Sequence, residues 1–247
     1  MSSNNRNARL RQIYRDIERW AQDRSSVPRN MAAIDPTAKL AIVGEAVGPK
    51  TLRLSGVPFF NPRGKLGQTG TNLERLLSPL GFTLYPNRDV RLPKAILESA
   101  PGAGKKSVYC TDICPVFPGY AQPRKGRRPI RRPTSALVRS ALAKRFLQKE
   151  LHIVKPHVIL LLGTHAYRHF HRHFMGEEPP QLSSLLRRVR NCKFSSYRGA
   201  VVIPCFHPSP GNPTFTRWAA SRRAHLEFLK RVEKCFCRPG KAVSRNS

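Results

Sequence analysis

Apolar residues are distributed along the chain in two patterns, one with helical spacing and one nearly continuous. The helical spacing near the start predicts an amphipathic helix over residues 6–22 that packs one face against the domain. Its apolar positions are Leu10, Ile13, Tyr14, Ile17, Trp20 and Ala21. Short, largely apolar runs predict four buried strands elsewhere. These runs cover residues 40–43, 107–111, 158–162 and 200–203.

Segments with helical patterns separate these strands. They cover residues 73–80, 135–151, the stretch after Gly163, and 218–232. The alternation indicates a parallel sheet with helices on both faces. We therefore predict the α/β class: a single three-layer α/β/α domain with a central, mostly parallel four-stranded sheet. The domain is expected over residues 31–234, after a helix and linker over 1–30 and before a disordered basic tail over 235–247.

The charge balance changes this picture of an ordinary globular domain. Lys and Arg together number 45 against 14 Asp and Glu, a formal net charge of +31. Such an excess implies a polyanionic partner, DNA or RNA first, because neutralising phosphates releases counterions. On composition alone, a non-catalytic basic protein of the ribosomal or chromatin type is an open alternative.

One basic segment is a candidate contact for phosphates. No acidic residue occurs between Pro115 and Lys149, and prolines interrupt the centre of this stretch, which predicts an exposed loop. Its arginines are expected to hold the DNA backbone, although a charge run is also typical of a solvated face. They are Arg124, Arg127, Arg128, Arg131 and Arg132.

Other features exclude membrane and secreted classes. No apolar run reaches the roughly 18 residues of a membrane span, and the first residues lack the apolar core of a secretory signal. Six cysteines are scattered without a disulfide pattern and are interpreted as reduced thiols. We expect an intracellular protein, in a bacterial cytoplasm, with a nucleus or an organelle left open.

Polar residues follow three of the predicted strands. Glu45 comes after the first strand, Asp112 after the second and His207 after the fourth. The carboxyl ends of parallel strands meet at one edge of a sheet, which is where such folds bind their ligands. We therefore expect these three residues to converge.

The sequences around them resemble those of a known family. Gly44-Glu45-Ala46-Val47-Gly48 and Gly56-Val57-Pro58-Phe59 resemble the first motif of the uracil-DNA glycosylase superfamily, in the branch that begins Gly-Glu-x-Pro-Gly. His207-Pro208-Ser209-Pro210 matches its second motif, His-Pro-Ser. Thr111-Asp112 stands at its strand-end Thr-Asn, and residues 158–163 match its apolar strand plus glycine. The resemblance covers roughly residues 40–230.

The resemblance implies a monofunctional enzyme that flips a base out of DNA and hydrolyses its glycosidic bond. Glu45 and His207 would be catalytic, because a carboxylate and a hydrogen-bond donor stabilise the charges that develop on the sugar and the base. The base would contact Ala46, Gly48, Phe59 and Asp112. The DNA strand would contact Ser209, Pro210, Gly211 and Asn212. Phe215 is a candidate to fill the vacated stack.

Three departures from the family pattern bear on function. Val47 replaces a proline, and the cysteines that bind an iron–sulfur cluster in the related branch are not matched. We expect no cluster, no metal and no small-molecule cofactor, with DNA as the partner of a monomer. The histidines 165, 169, 171 and 173 follow no common zinc spacing, and no cysteine near them completes a site.

The third departure concerns which base is read. A carboxylate at Asp112 only accepts hydrogen bonds, so it suits the exocyclic amine of cytosine and opposes O4 of uracil. Gly48 leaves room for a substituent at C5. Removing ordinary cytosine would destroy the host genome, so we expect a modified cytosine in foreign DNA, such as phage DNA, and an antiviral role through abasic sites. Uracil repair is the alternative.

Overall fold

A computed structural model provides the structure of the chain. It describes residues 2–20, 34–46, 58–60, 65–85, 105–114, 141–179, 181–182 and 194–237.

Strands form one large sheet and one small ribbon. They are β1 Leu40–Ala46, β2 Phe82–Thr83, β3 Lys106–Ser107, β4 Tyr109–Cys114, β5 Val158–Leu162, β6 Ser195–Tyr197 and β7 Ala200–Cys205. The large sheet has five strands in the order β4-β1-β5-β7-β6, and all neighbours are parallel except β6 and β7. The α/β class and the mostly parallel sheet are confirmed.

The number of strands was wrong, because the sheet has five strands and not four. The additional strand, β6, lies at the edge and pairs antiparallel with β7 through residues 195–197. It is short and begins with two serines, so it carries no apolar run. Its faces are little covered at the edge of the sheet, since only Tyr197 of its three residues is buried, so no apolar run is required.

The central strands are buried on both faces. All residues of β5 are buried, and residues 40–43 of β1 have no exposed surface. Parallel strands are continuously apolar when helices cover both faces of their sheet. This burial explains why continuous apolar runs located β1, β5 and β7. The bounds predicted for the second strand, 107–111, were wrong, because β4 runs from Tyr109 to Cys114 and Asp112 lies inside it.

Six α-helices lie in the described part of the chain. They are α1 Ser3–Trp20, α2 Gln68–Leu77, α3 Ala141–Val154, α4 Gly163–Phe170, α5 Pro213–Ala220 and α6 Arg222–Cys237. A 3₁₀ turn over Ser78–Leu80 extends α2, and a π-helical turn over His171–Met175 extends α4. None of the described helices is long and apolar enough to cross a membrane.

The last predicted helix is two helices. Ser221 is extended between α5 and α6, with φ −75° and ψ 93°. Its hydroxyl accepts a hydrogen bond from the Ala224 amide at 3.4 Å, so serine begins the second helix, as serine commonly does. The prediction of one helix over 218–232 was wrong because apolar spacing alone does not register such a cap. Helix α6 continues to Cys237, into the segment expected to be a tail, and residues 238–247 lie outside the described residues.

Helix α1 packs on the domain by its apolar face. Leu10, Ile13, Tyr14 and Ile17 are buried. The hydroxyl groups of Tyr14 and Tyr109 lie 2.7 Å apart, which links the helix to β4. The Arg6 guanidinium donates to the carbonyl oxygens of Pro36 and Val154 at 3.2 and 3.3 Å. The helix runs from Ser3 to Trp20, whereas the apolar spacing predicted residues 6–22, and it is part of the packed structure.

Candidate active site

A cavity of about 540 Å³ opens at the carboxyl edge of the sheet. Glu45 reaches it from the end of β1, Gly163 and His165 from the start of α4, and His207 and Asn212 from the loop after β7. Because β1, β4, β5 and β7 are parallel, their carboxyl ends share this edge. Glu45 and His207 share the cavity, whereas Asp112 stands near the same edge of the sheet and is not among the described residues that line the cavity.

Gly163 provides the space for His207. It has a left-handed backbone, with φ +87°, and a Cβ at this position would lie 3.0 Å from the Cβ of His207. Any larger residue would strain the turn and push against the histidine. The imidazole reaches solvent through the cavity, yet desolvation by the surrounding protein lowers the pKa of His207. His207 is therefore neutral at neutral pH, with one ring nitrogen available as a donor.

Two asparagines hold the loop that carries His207. The Asn212 amide donates to the carbonyl of His207 at 2.9 Å, and its oxygen accepts from the amides of Thr214 and Phe215. Asn212 is thus the N-cap of α5, followed by Pro213 in the first turn. Asn72, on α2, donates to the carbonyl of Pro208 at 2.9 Å. The Asn-Pro pair is a cap signal in the sequence, whereas the contact of Asn72 spans 136 residues and has no local signal.

Glu45 is paired with a histidine that the sequence analysis did not assign to the catalytic site. The Nδ1 atom of His165 lies 4.0 Å from Oε1 of Glu45, and the two side chains are 49% and 26% exposed. The carboxylate is therefore partly shielded and still open to water. The chain order explains why His165 lies in the site. Helix α4 begins directly after β5, so its first turn lies at the carboxyl edge of the sheet.

Asp112 lies beside Gly44 in the sheet. The two residues pair in the register of β4 and β1, and a Cβ on Gly44 would collide with Oδ1 of Asp112. Glycine is thus required for this carboxylate to lie over β1. Consecutive strand residues project to opposite faces, so Asp112 and Glu45 start from opposite faces of the sheet. Asp112 is not among the described residues that line the cavity.

Phe59 occupies a strained position next to α2. Its φ is +69°, unusual for a residue other than glycine. The Gly67 amide donates to its carbonyl at 2.8 Å, and a Cβ on Gly70 would lie 2.9 Å from the Cβ of Phe59. These contacts hold a half-buried ring that is not among the described residues lining the cavity.

The remaining predicted residues have mixed outcomes. Ala46 ends β1, where it pairs with Cys114. Ser209 is half-buried, Pro210 and Gly211 are exposed, and the Ser209 carbonyl accepts from the Asn212 amide at 3.1 Å. The following predicted residues lie outside the described part of the chain: Gly48, Arg124, Arg127, Arg128, Arg131 and Arg132.

The candidate for the vacated base stack was wrong. Phe215 is only 5% exposed, and its ring lies 5.9 Å from that of Trp218, between centroids. An inserted residue must be exposed in the free protein or leave its packing on binding. Phe215 belongs to the core under α5, where its burial stabilises the fold by roughly 1.5–3 kcal/mol.

Sequence comparison agrees with the geometry of this edge. The family model described as "Uracil DNA glycosylase superfamily" matches residues 31–230. The chain belongs to the uracil-DNA glycosylase superfamily. Members of this superfamily are DNA glycosylases, which are hydrolases that act on DNA, and both motif residues facing the cavity lie inside the matched range. A search among curated proteins found no match.

Proposed function

We propose that this superfamily member is a monofunctional DNA glycosylase that flips out a C5-modified cytosine and hydrolyses its glycosidic bond, leaving an abasic site. The observation that carries the catalytic part is the shared cavity of Glu45 and His207. Its volume of about 540 Å³ falls in the range of pockets that enclose small ligands. A base extruded from the stack is a ligand of this kind.

The two side chains suit the two charges of the reaction. As the bond between C1′ and the base nitrogen breaks, its electron pair moves to the base and the sugar becomes positive. The partly shielded Glu45 carboxylate stabilises the sugar and takes a proton from the water that attacks C1′. Neutral His207 donates a hydrogen bond to O2 of the departing base, where negative charge develops.

The choice of base is assigned to Asp112. An ionised carboxylate accepts from the N4 amine of cytosine and repels O4 of uracil. The pleat directs Asp112 away from the face of Glu45 at the strand end. In the proposed complex, the base extends beyond the sheet edge so that its N4 amine meets Asp112, and the lack of a side chain at position 48 is proposed to admit a substituent at C5. A modified cytosine in foreign DNA is the substrate that spares the host, which implies a defence role.

Uracil excision is the second candidate, and the family description favours it. If Asp112 is protonated in the site, the carboxylic acid also donates and can pair with uracil. The two candidates differ only in the base and share the same hydrolysis. Both are consistent with a monomer that acts on DNA.

DNA binding is assigned to the basic surface and the loop after β7. A net charge of +31 favours phosphate contacts with steep salt dependence. Arg124, Arg127, Arg128, Arg131 and Arg132 are proposed to hold the backbone, together with the loop 209–212. Exposed Pro210 and Gly211 leave this loop open to a strand.

Base release from a panel of oligonucleotides tests the proposal. The panel contains uracil, cytosine, hydroxymethylcytosine and a glycosylated hydroxymethylcytosine in one sequence context. We expect release of a modified cytosine and about ten- to a hundredfold less activity on uracil, the effect of one unpaired polar contact worth roughly 1–3 kcal/mol. Asp112→Asn should reverse the preference, and the matched control Asp16→Asn, at a partly exposed position on α1, should not. If the enzyme releases uracil readily and releases none of the modified cytosines, uracil excision becomes the proposed function in place of modified-cytosine excision.

A further inference from the structure

Three potential metal ligands gather at the rim of the cavity. They are the carboxylate of Glu45 and the imidazoles of His165 and His169, with one ligand atom from each lying within 4.8 Å of the others. His165 and His169 are four residues apart on α4, so they lie on the same face of the helix. The site thus combines a strand end with one helix face.

The ligand set and its spacing fit a zinc ion. Two histidines and one glutamate, with the fourth position left to water, are a combination that catalytic zinc sites use. Bonds of about 2.0–2.1 Å in a tetrahedron place the ligand atoms roughly 3.3–3.4 Å apart. Binding requires a contraction from the 4.0 Å between His165 Nδ1 and Glu45 Oε1, and from the separations within 4.8 Å that include His169. His165 is 49% exposed and has room to make it.

The surroundings orient the second histidine and leave an opening. The ring of His169 stacks on that of His173, with centroids 5.7 Å apart and planes 16° from parallel. His171 points elsewhere, since it is buried with Nδ1 3.8 Å from Glu177. The cavity that Glu45 and His165 line gives the fourth position access to solvent.

The charge of the protein sets what kind of cation binds. A formal net charge of +31 repels all cations, and Arg168 also lines the cavity. Hard ions such as Mg²⁺ and Ca²⁺ bind mainly through charge and oxygen ligands, so one carboxylate is too little for them here. Zinc gains directional bonds from neutral imidazole, which suits a site with two histidines.

We infer that Glu45, His165 and His169 form a Zn²⁺ site and that the bound ion inhibits base excision. The ion would bind the Glu45 carboxylate, which is the group proposed to stabilise the sugar and to accept a proton from water. Inhibition rests on the proposed function, whereas binding does not. The expectation of no metal, which the spacing of histidines 165, 169, 171 and 173 suggested, is thereby replaced by a site that takes two of these histidines and one carboxylate.

Binding is tested with the full chain carrying no histidine tag. Co²⁺ serves as the spectroscopic probe, and Zn²⁺ is then titrated by calorimetry and by displacement of Co²⁺. We expect one ion per chain, and His169→Ala should weaken binding more than about tenfold, as loss of a direct ligand exceeds the effect of losing a supporting contact. The matched control His152→Ala, an exposed histidine at the end of α3, should bind as wild type. Absence of saturable binding, or equal binding by His169→Ala, would overturn the site.

Inhibition is tested on the most rapidly cut oligonucleotide of the panel. Wild type should lose excision as Zn²⁺ saturates the site and recover it with EDTA. His169→Ala should excise normally without zinc and resist the same zinc concentration. Zinc binding without any excision in EDTA would reject the proposed function and leave the site intact. Excision that is unchanged or stimulated while zinc is bound would reject inhibition alone.

Discussion

The two ends of the sheet carry cavities of nearly equal size and different construction. The cavity at the carboxyl edge measures about 540 Å³, and a second, between α1 and α3, measures about 530 Å³. The second cavity lies at the amino edge, because α3 ends just before β5 and Arg198 just precedes β7. Its lining includes Arg9, Asp16, Arg145, Lys149, His152 and Arg198.

The difference lies in what fixes the charged groups. At the carboxyl edge, Gly163 and Gly44 leave room for His207 and Asp112, and hydrogen bonds to Asn72 and Asn212 hold the loop. At the amino edge, long side chains on helix surfaces line a cavity of the same size. Volume therefore does not distinguish the two cavities, whereas backbone that is shaped around particular side chains does.

The largest expected effect is a loss of enzymatic activity from substitutions at the carboxyl edge and not from those at the amino edge. Glu45→Gln and His207→Ala should each lower base release by several orders of magnitude, because each removes a group that stabilises charge in the transition state. DNA binding, measured by fluorescence anisotropy, should persist, because phosphate contacts lie elsewhere. Asp16→Asn and His152→Ala at the amino edge are the controls and should retain activity. Equal losses at both edges would contradict the assignment.

A second comparison isolates the contact beneath His207. Gly163 and Gly199 have nearly the same φ, +87° and +85°, but only Gly163 has a neighbour in the way of a Cβ. Replacing either by alanine should lower the free energy of unfolding by about 1–2 kcal/mol, from left-handed strain. Only Gly163→Ala should also lower base release, by roughly tenfold, because His207 must give way by a few tenths of an ångström and a misplaced catalytic group slows the reaction. Matched activity in the two variants would show that His207 tolerates the shift.

A smaller effect is expected from the helix caps. Asn212→Ala and Ser221→Ala remove the N-caps of α5 and α6, and each should lower the free energy of unfolding by about 1 kcal/mol. Asn212 also holds the carbonyl of His207. Only Asn212→Ala should therefore slow base release, by a few-fold. The rates of base release by both variants are measured at a temperature where both are fully folded. An equal decrease in the two variants would contradict the role of Asn212 in holding the loop.

The smallest effect concerns stability in acid. Desolvation lowers the pKa of His207, and also that of His171, where Glu177 acts in the opposite direction. A lowered histidine pKa gives stability that is fully present above the unfolded value of about 6.5 and is lost as pH falls through the folded pKa. The thermal midpoint should therefore fall between pH 7.5 and pH 5, and less so in His171→Gln. His152→Gln, on exposed surface, should show the same dependence of the thermal midpoint on pH as wild type. The same dependence in His171→Gln would show that His171 does not contribute to the loss of stability in acid.

Sequence predicted the parts of the fold that local pattern determines. The strands β1, β5 and β7 are apolar on both sides, so their runs are visible, and Glu45 and His207 stand in motifs next to them. The short polar edge strand β6 has no such signal, and apolar spacing continued across the break at Ser221. The role of His165 depends on where α4 begins in space, and the role of Asn72 depends on a loop 136 residues away. Both are tertiary contacts, which periodicity and spacing do not encode.

The docking of α1 has a consequence for synthesis on the ribosome. Arg6 hydrogen-bonds to the carbonyl of Val154, 148 residues later in the chain. At about 5–20 residues per second, the helix therefore waits roughly 7–30 s for its partner to be translated. Throughout this interval the apolar face of α1, with Leu10, Ile13 and Ile17, lacks the packing that it has in the folded protein. A slow stretch of translation before residue 154 would lengthen the exposure, and early chains released there would be the ones most prone to aggregate.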